Sequence, residues 1–271
     1  MGLGSPPARS AKKNWAQLEK LIAERSVDVA LLNEAPIQGL SERAARHSEA
    51  GTVGWDLRRD NGLPKKRPWS TAVWVTNGTP GQPDPRAVGS HGRRPNIPFG
   101  PSKTGTWTAG TVFAAGIGQI TCVSIYNLMD ELSDASLHRS LSDISPIFTD
   151  PAYNTYVLVG GDLNASTQWT RDDIRRRDRN LLERFAAYGL KDCLALTREA
   201  PLDECTCDLG AACRHSWTRL DPSHPKLQVD YLFASEALAK KLRSCEALPP
   251  PEWTEYSDHS PIIATFESED G

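Results

Sequence analysis

Residues 157–166, Val157-Leu158-Val159-Gly160-Gly161-Asp162-Leu163-Asn164-Ala165-Ser166, run from an apolar stretch into two glycines and then an acid and an amide two positions apart. Residues 156–159 read as a short buried strand that ends in Gly160-Gly161-Asp162. Open α/β sheets build their sites at such ends, because the apolar part of the strand is covered by other layers while its end reaches the rim. By itself, Gly-Asp-x-Asn serves an Asx-turn as readily as a site.

Three other stretches share this design. Residues 27–32 form an apolar run broken by Asp28, and it ends at Asn33-Glu34 before Pro36. Asp230 stands inside the apolar stretch Val229-Asp230-Tyr231-Leu232-Phe233, where a buried carboxylate needs a partner. Ser257-Asp258-His259 leads through Pro261 into a last strand over residues 261–266. Singly, Glu34 reads more often as a solvated turn residue, and Ser-Asp-His as readily as a loop cap. Together, carboxylates gathered at one rim repel one another unless a cation is present. Hard oxygen donors of this kind suit Mg²⁺ or Mn²⁺, which keep waters and add phosphate oxygens. A histidine beside a carboxylate can present a polarised N–H to a phosphate.

Around these pieces the sequence predicts a helix over residues 12–25, with Trp15, Leu18, Leu21 and Ile22 at helical spacing, and a strand over 71–76. Residues 77–102, rich in Gly, Pro and Arg, read as a long surface loop. Strands over 106–115 and 119–126 are joined by a Gly116-to-Gly118 hairpin signal. Helices are expected over 133–148, over 172–188 with Gly189 as its stop, and over 235–242, with a strand over 228–234. Interleaved strands and helices with a hairpin indicate a mixed-sheet α/β architecture. With no repeat and no linker, residues 1–271 are expected to form a single domain, with 1–11 irregular.

The 271 residues are 39% hydrophobic and 24% charged, the balance of a globular chain. No apolar run approaches the roughly 18 residues of a membrane span, and the N-terminal residues lack the apolar core of a secretory signal, so a cytoplasmic protein is expected. A formal net charge of −3 means that contact with nucleic acid relies on local patches: Arg58-Arg59, Lys65-Lys66-Arg67, Arg93-Arg94 and Arg175-Arg176-Arg177, each also readable as solvated surface charge. Trp69, Trp107, Trp169 and Trp217 read either as stacking residues near polar loops or as core. No protein partner can be inferred.

Cys122, Cys193 and Cys245 lie in apolar stretches and read as buried thiols. Cys205-x-Cys207 and Cys213-x-His215 instead cluster in an insertion loop, residues 203–217. Three thiolates and an imidazole suit structural Zn²⁺ in tetrahedral geometry, the alternative being a disulfide or free thiols with His215 on the surface.

In order and context, Val29-Ala30-Leu31-Leu32-Asn33-Glu34-Ala35, Val123-Ser124-Ile125-Tyr126-Asn127-Leu128, residues 157–166, residues 228–235 (QVDYLFAS) and residues 257–266 (SDHSPIIATF) resemble the endonuclease/exonuclease/phosphatase superfamily, the DNase I-like fold. That group includes apurinic endonucleases, inositol polyphosphate 5-phosphatases and neutral sphingomyelinases. The resemblance extends from about residue 12 to the end. It implies a four-layer α/β sandwich, with two mixed β-sheets packed face to face and flanked by helices. It also implies a Mg²⁺- or Mn²⁺-dependent phosphoesterase acting on nucleic acid or another phosphate ester.

By the same resemblance Glu34 is a metal ligand and Asp258 supports the metal site. Asp162 positions or deprotonates the attacking water, and Asn164 holds a phosphate oxygen or the metal shell. Tyr126 faces the phosphate. His259 donates to the scissile phosphate while Asp230 accepts its other ring proton. Members open with a central strand ending in an Asn that joins the metal site; here that first strand is missing from the sequence before Lys12, and Asn33 is a candidate substitute. That departure suggests weakened activity. Three functions therefore stand at this stage: a nuclease, a phosphatase of a small metabolite or lipid headgroup, and a catalytically weak binding module.

Overall fold

The computed structural model describes residues 11–36, 53–55, 69–76, 79–80, 106–127, 133–249, 253 and 256–267. The expected loop over 77–102, apart from Thr79 and Pro80, lies outside these residues, as do three of the basic patches.

Helix α1 (Ala11–Glu24) is followed by strands β1 (Val29–Pro36), β2 (Val53–Trp55), β3 (Trp69–Val75), β4 (Thr79–Pro80), β5 (Trp107–Ala114) and β6 (Gly118–Ile125). Then come α2 (Ser133–Thr149), β7 (Val157–Asp162), α3 (Asp172–Ala187), β8 (Leu190–Asp192), α4 (Cys193–Thr197), β9 (Asp230–Ser235), α5 (Glu236–Ala239), β10 (Leu242–Ala247) and β11 (Ile262–Phe266). The elements stack in four layers. A six-stranded mixed sheet, in the order β4-β5-β6-β7-β9-β8, has one parallel pair, β6 with β7. The opposing layer consists of two antiparallel pieces, β1-β3-β2 and β10-β11.

Burial follows from this layering. Trp107, Val123, Ile125, Val157, Val159 and Phe233 face Leu137, Leu141, Ile144, Leu181 and Phe185 of α2 and α3. The other face of the same sheet, through Val112, Ile120, Cys122, Leu158 and Ala234, packs on Val73 and Val75 and on partly buried Val29, Leu31, Ala264 and Phe266. Outside that layer, Trp15 and Leu18 of α1 cover Leu32, Ala72 and Trp74, with the two indoles edge to face at 5.8 Å. The helical spacing of Trp15, Leu18 and Ile22 thus covers the outer layer.

The β5–β6 turn uses left-handed backbone at Gly116 and Gly118. Helix α3 stops as expected at Gly189 (φ 77°). Two expectations change. The helix predicted over 235–242 is only four residues long, because Leu242 already belongs to β10 and pairs with Phe266. The strand predicted over 27–32 runs on to Pro36.

Between β1 and β11 lies a cavity of about 770 Å³. It is lined by consecutive residues of both strands, 29–32 and 262–266, and by Asp28, Ser260 and Pro261 just before them. Successive strand residues point to opposite faces, so a cavity touching all of them runs along the strand edges. Its walls are Leu21 and Ile22 of α1 on one side and Val112 and Leu158 on the other. Among the described residues no strand fills this slot, which is where the outer layer divides.

Candidate active site

The strand ends singled out in the sequence meet at one rim. Because β7 and β9 are antiparallel, Asp162, the last residue of β7, pairs directly with Asp230, the first of β9. The loop before β11 places His259 Nδ1 2.7 Å from Asp230 Oδ2. Asp162, Asp230 and His259 form a group whose ligand atoms all lie within 4.8 Å of one another. Glu34 and Asp258 stand outside that group, although the charge of Asp258 acts on His259.

Each side chain has a local cause for its direction. Pairing of β1 with β3 shifts register between Leu32 and Ala35, a bulge that sets Asn33 and Glu34 against the single residue Thr71. Glu34 takes φ 50°, uncommon for a non-glycine residue, and its Oε1 accepts the Tyr126 hydroxyl at 2.8 Å. Asn33 turns inward and is fully buried: Nδ2 donates to the Ile125 carbonyl at 2.9 Å, and Oδ1 accepts the Asp162 amide at 3.1 Å.

Gly161, at φ 144°, makes this approach possible, since a Cβ there would stand 1.9 Å from the Ile125 carbonyl oxygen. Beyond it Asn164, at φ 48°, closes the Asx-turn: its backbone N–H donates to Asp162 Oδ1 at 2.8 Å, and Nδ2 donates to Asp162 Oδ2 at 3.1 Å and to the Asn127 carbonyl at 3.0 Å. Turn and site are therefore the same structure. Thr218 completes the frame, its hydroxyl oxygen accepting the amides of Val229 and Asp230 at 2.9 and 3.0 Å.

The electrostatics follow from burial. Loss of water pushes the Asp162 carboxyl up to about 7, with Asp230 adding to the rise, and the charge of His259 and the hydrogen bond from Asn164 opposing it. Burial alone would lower His259, but the charge and hydrogen bond of Asp230, with Asp162 and Asp258 behind them, raise it to about 9. The imidazole is therefore held as a cation with Nδ1 committed to Asp230, leaving Nε2 as the free donor.

Sequence reading missed Asn33 as a clamp, Asn127 as the residue that accepts Asn164 and donates to the Asp162 carbonyl, and Thr218. Of the proposed stacking residues, Trp107 is fully buried in the core. Trp169 and Trp217 instead line a second cavity of about 320 Å³ with Gln168 and Lys226, and the Trp169 ring N–H donates to Asp178 at 2.9 Å. The Trp69 side chain lies outside the described residues.

No sequence-family model and no curated protein sequence matches the chain. Solved structures do. The 3'-5' exonuclease NExo from Neisseria meningitidis superposes with a TM-score of 0.58 at 17% identity, over 95% of this chain and 96% of that one. An AP endonuclease from Archaeoglobus fulgidus gives 0.57 at 14% identity, over 96% of each chain. The endonuclease domain of TRAS1, a telomere-specific non-LTR retrotransposon, gives 0.57 at 16%, over 94% of this chain and 92% of that one. At identities this low the agreement resides in the backbone, over nearly the whole length of each partner. Layer order, strand topology and these superpositions together show that the chain has the DNase I-like fold.

Proposed function

We propose that the protein is a Mg²⁺- or Mn²⁺-dependent phosphoesterase that hydrolyses phosphodiester bonds in nucleic acid. The observation that carries this reading is the Asp162–Asp230–His259 group at the rim, both acids buried, with ligand atoms within 4.8 Å of one another.

The donor set fits a divalent cation. Asp162 is a buried carboxyl with its proton affinity raised by lost hydration, and the carboxylates near it are hard oxygen donors. Glu34, aimed by its bulge and by Tyr126, and Asp258, beside His259, would hold the ion. When bound, the ion supplies charge neutralisation at the phosphoryl oxygens and makes a bound water more acidic.

The chain's own residues do the rest. The Asp162 carboxylate, fixed on both oxygens by Asn164, accepts a proton from the attacking water. Both Nδ2 hydrogens of Asn164 are engaged, so its main part is to aim Asp162; contact with a phosphate oxygen exchanges one of those bonds. His259 donates from Nε2 to a phosphoryl oxygen, and Asp230 keeps the ring cationic and oriented. The indoles of Trp169 and Trp217, with Lys226, offer a base-sized surface on the segments that follow Asn164 and precede Asp230. A small phosphate ester is the second reading, favoured by the net charge of −3.

The test is a panel of labelled single-stranded and duplex oligonucleotides beside phosphorylated metabolites, each with Mg²⁺ or Mn²⁺. Oligonucleotide cleavage that falls by about 10²- to 10⁴-fold in Asp162→Asn and His259→Ala supports the proposal. Phosphate release from metabolites with intact oligonucleotides selects the second reading. Inactivity of the wild type on both, with retained nucleic-acid binding, leaves a binding module.

A further inference from the structure

Cys205, Cys207, Cys213 and His215 take no part in the rim, yet their donor atoms all lie within 4.8 Å of one another. His215 Nδ1 is 3.4 Å from Cys205 Sγ and 3.3 Å from Cys213 Sγ. Tetrahedral zinc, with Zn–S of about 2.3 Å and Zn–N of about 2.0 Å, sets S and N about 3.5 Å apart, close to these separations. The three cysteines are free thiols in the structure. A disulfide would use two sulfurs and leave no part for a third or for the imidazole; four donors turned on one point have a use as a set.

The surroundings agree. His215 and Cys213 are buried. The other ring nitrogen of His215 lies 2.8 Å from Thr167 Oγ1, the outer partner that fixes a metal-bound imidazole. Gln168 Nε2 donates to Cys205 Sγ at 3.3 Å, a bond that suits a thiolate.

We propose that Cys205, Cys207, Cys213 and His215 bind one structural Zn²⁺ that fastens the 203–217 loop to the segment following Asn164 and so holds the scaffold beneath Asp230 and His259. The connection is continuous. Gln168 Oε1 accepts the Gln228 amide at 2.6 Å, and Gln228 Oε1 accepts the Ser216 amide at 2.8 Å. Two residues on from Ser216, Thr218 accepts the Asp230 amide through its hydroxyl and the Ser260 amide through its carbonyl, and the Leu220 amide donates to the Asp258 carbonyl at 2.7 Å. The ion lies at one end of a short ladder whose other end is the catalytic histidine loop.

Elemental analysis of the full chain, purified under reducing conditions without added metal, should find about one equivalent of zinc. Replacement by Co²⁺ should give the visible and thiolate charge-transfer bands of a tetrahedral thiolate site. Cys207→Ser should abolish both. If that variant does not fold, titration of the native wild type with a mercurial thiol reagent reads the same property, zinc being released as the thiols react. Removing zinc with a chelator should speed hydrogen exchange at the Leu220 and Asp230 amides at least tenfold, while amides of β6 keep their protection. Metal-free native protein with all three thiols freely reactive, or a disulfide among them by mass spectrometry, overturns the site. Unchanged exchange at Leu220 and Asp230 in zinc-depleted protein overturns the fastening. Neither readout depends on activity, so failure here is distinct from failure of the phosphoesterase reading.

Discussion

The side chain of Asn33 donates to the Ile125 carbonyl and accepts the Asp162 amide, so one buried amide ties the ends of β1, β6 and β7 together. Removing it leaves a buried carbonyl and a buried N–H without partners. Asn33→Ala should therefore cost about 2–4 kcal/mol, read as a shift of the urea midpoint at constant slope. Asn33→Asp keeps the acceptor for Asp162 but faces Ile125 with a second oxygen, and should also destabilise. A loss below about 0.5 kcal/mol in Asn33→Ala, the scale of an ordinary surface change, would show that the tie contributes nothing. Asp162, Asp230 and His259 were each legible as polar residues at or inside apolar runs, and the pairing of Asp230 with His259 came from the resemblance of residues 228–235 and 257–266. The role of Asn33 was not legible, since its partners lie 92 and 129 positions away and nothing local distinguishes a clamp from a turn residue. Glu34 was legible as a strand-end acid, but the bulge that turns it appears only once β3 is paired beside it.

Among the elements, long apolar or clearly periodic stretches were readable: α1, β3, the β5–β6 hairpin, α2, α3 and β11 formed near their expected bounds. What escaped was short or half-exposed. Only Cys245 is buried in β10, and β8 has three residues, so their existence is decided by β11 and β9 alongside them. Helix α4 is made at its start by Asp192, whose Oδ1 accepts the Leu194 amide at 3.0 Å while Oδ2 accepts Gln228 Nε2 at 3.1 Å. Burial pushes this carboxyl up to about 6 from 3.8, against the pull of those hydrogen bonds. The folded value lies above the unfolded one, so the fold prefers the neutral acid. Its contribution is complete below about pH 4 and is lost as pH rises through about 6. Asp192→Asn keeps the cap oxygen and removes the titration. The stability of wild type minus that of the variant should then fall between pH 4 and pH 7, by at most about 3 kcal/mol. A difference flat across that range would mean that ionised Asp192 is not penalised.

For the molecule as a whole, the four layers are held unequally. The six-stranded sheet is covered by helices on one face and by strands on the other, whereas the outer layer divides along the slot between β1 and β11. Alternate amides along those two edges have no strand partner among the described residues, and β11 packs on the six-stranded sheet through Ala264 and Phe266 and on Leu21 and Trp253 through Ile263. Native-state hydrogen exchange should place β10 and β11 in a unit that opens at lower free energy than β6 and β7. Identical opening energies for the two sets would show a single cooperative unit. The slot was not legible in sequence, because its walls, from α1, β1, β11 and the six-stranded sheet, are brought together only by the packed layers.

The division has a thermal corollary. His259 belongs to the chain leading into β11, while Asp230 and Asp162 sit in the six-stranded sheet. A leaf that swings out on warming must first part the Ser260–Thr218 and Leu220–Asp258 backbone bonds; once they open it carries the imidazole away and leaves the two acids in place. Turnover should therefore cease several degrees before the bulk of the chain melts, and return on cooling without any refolding step.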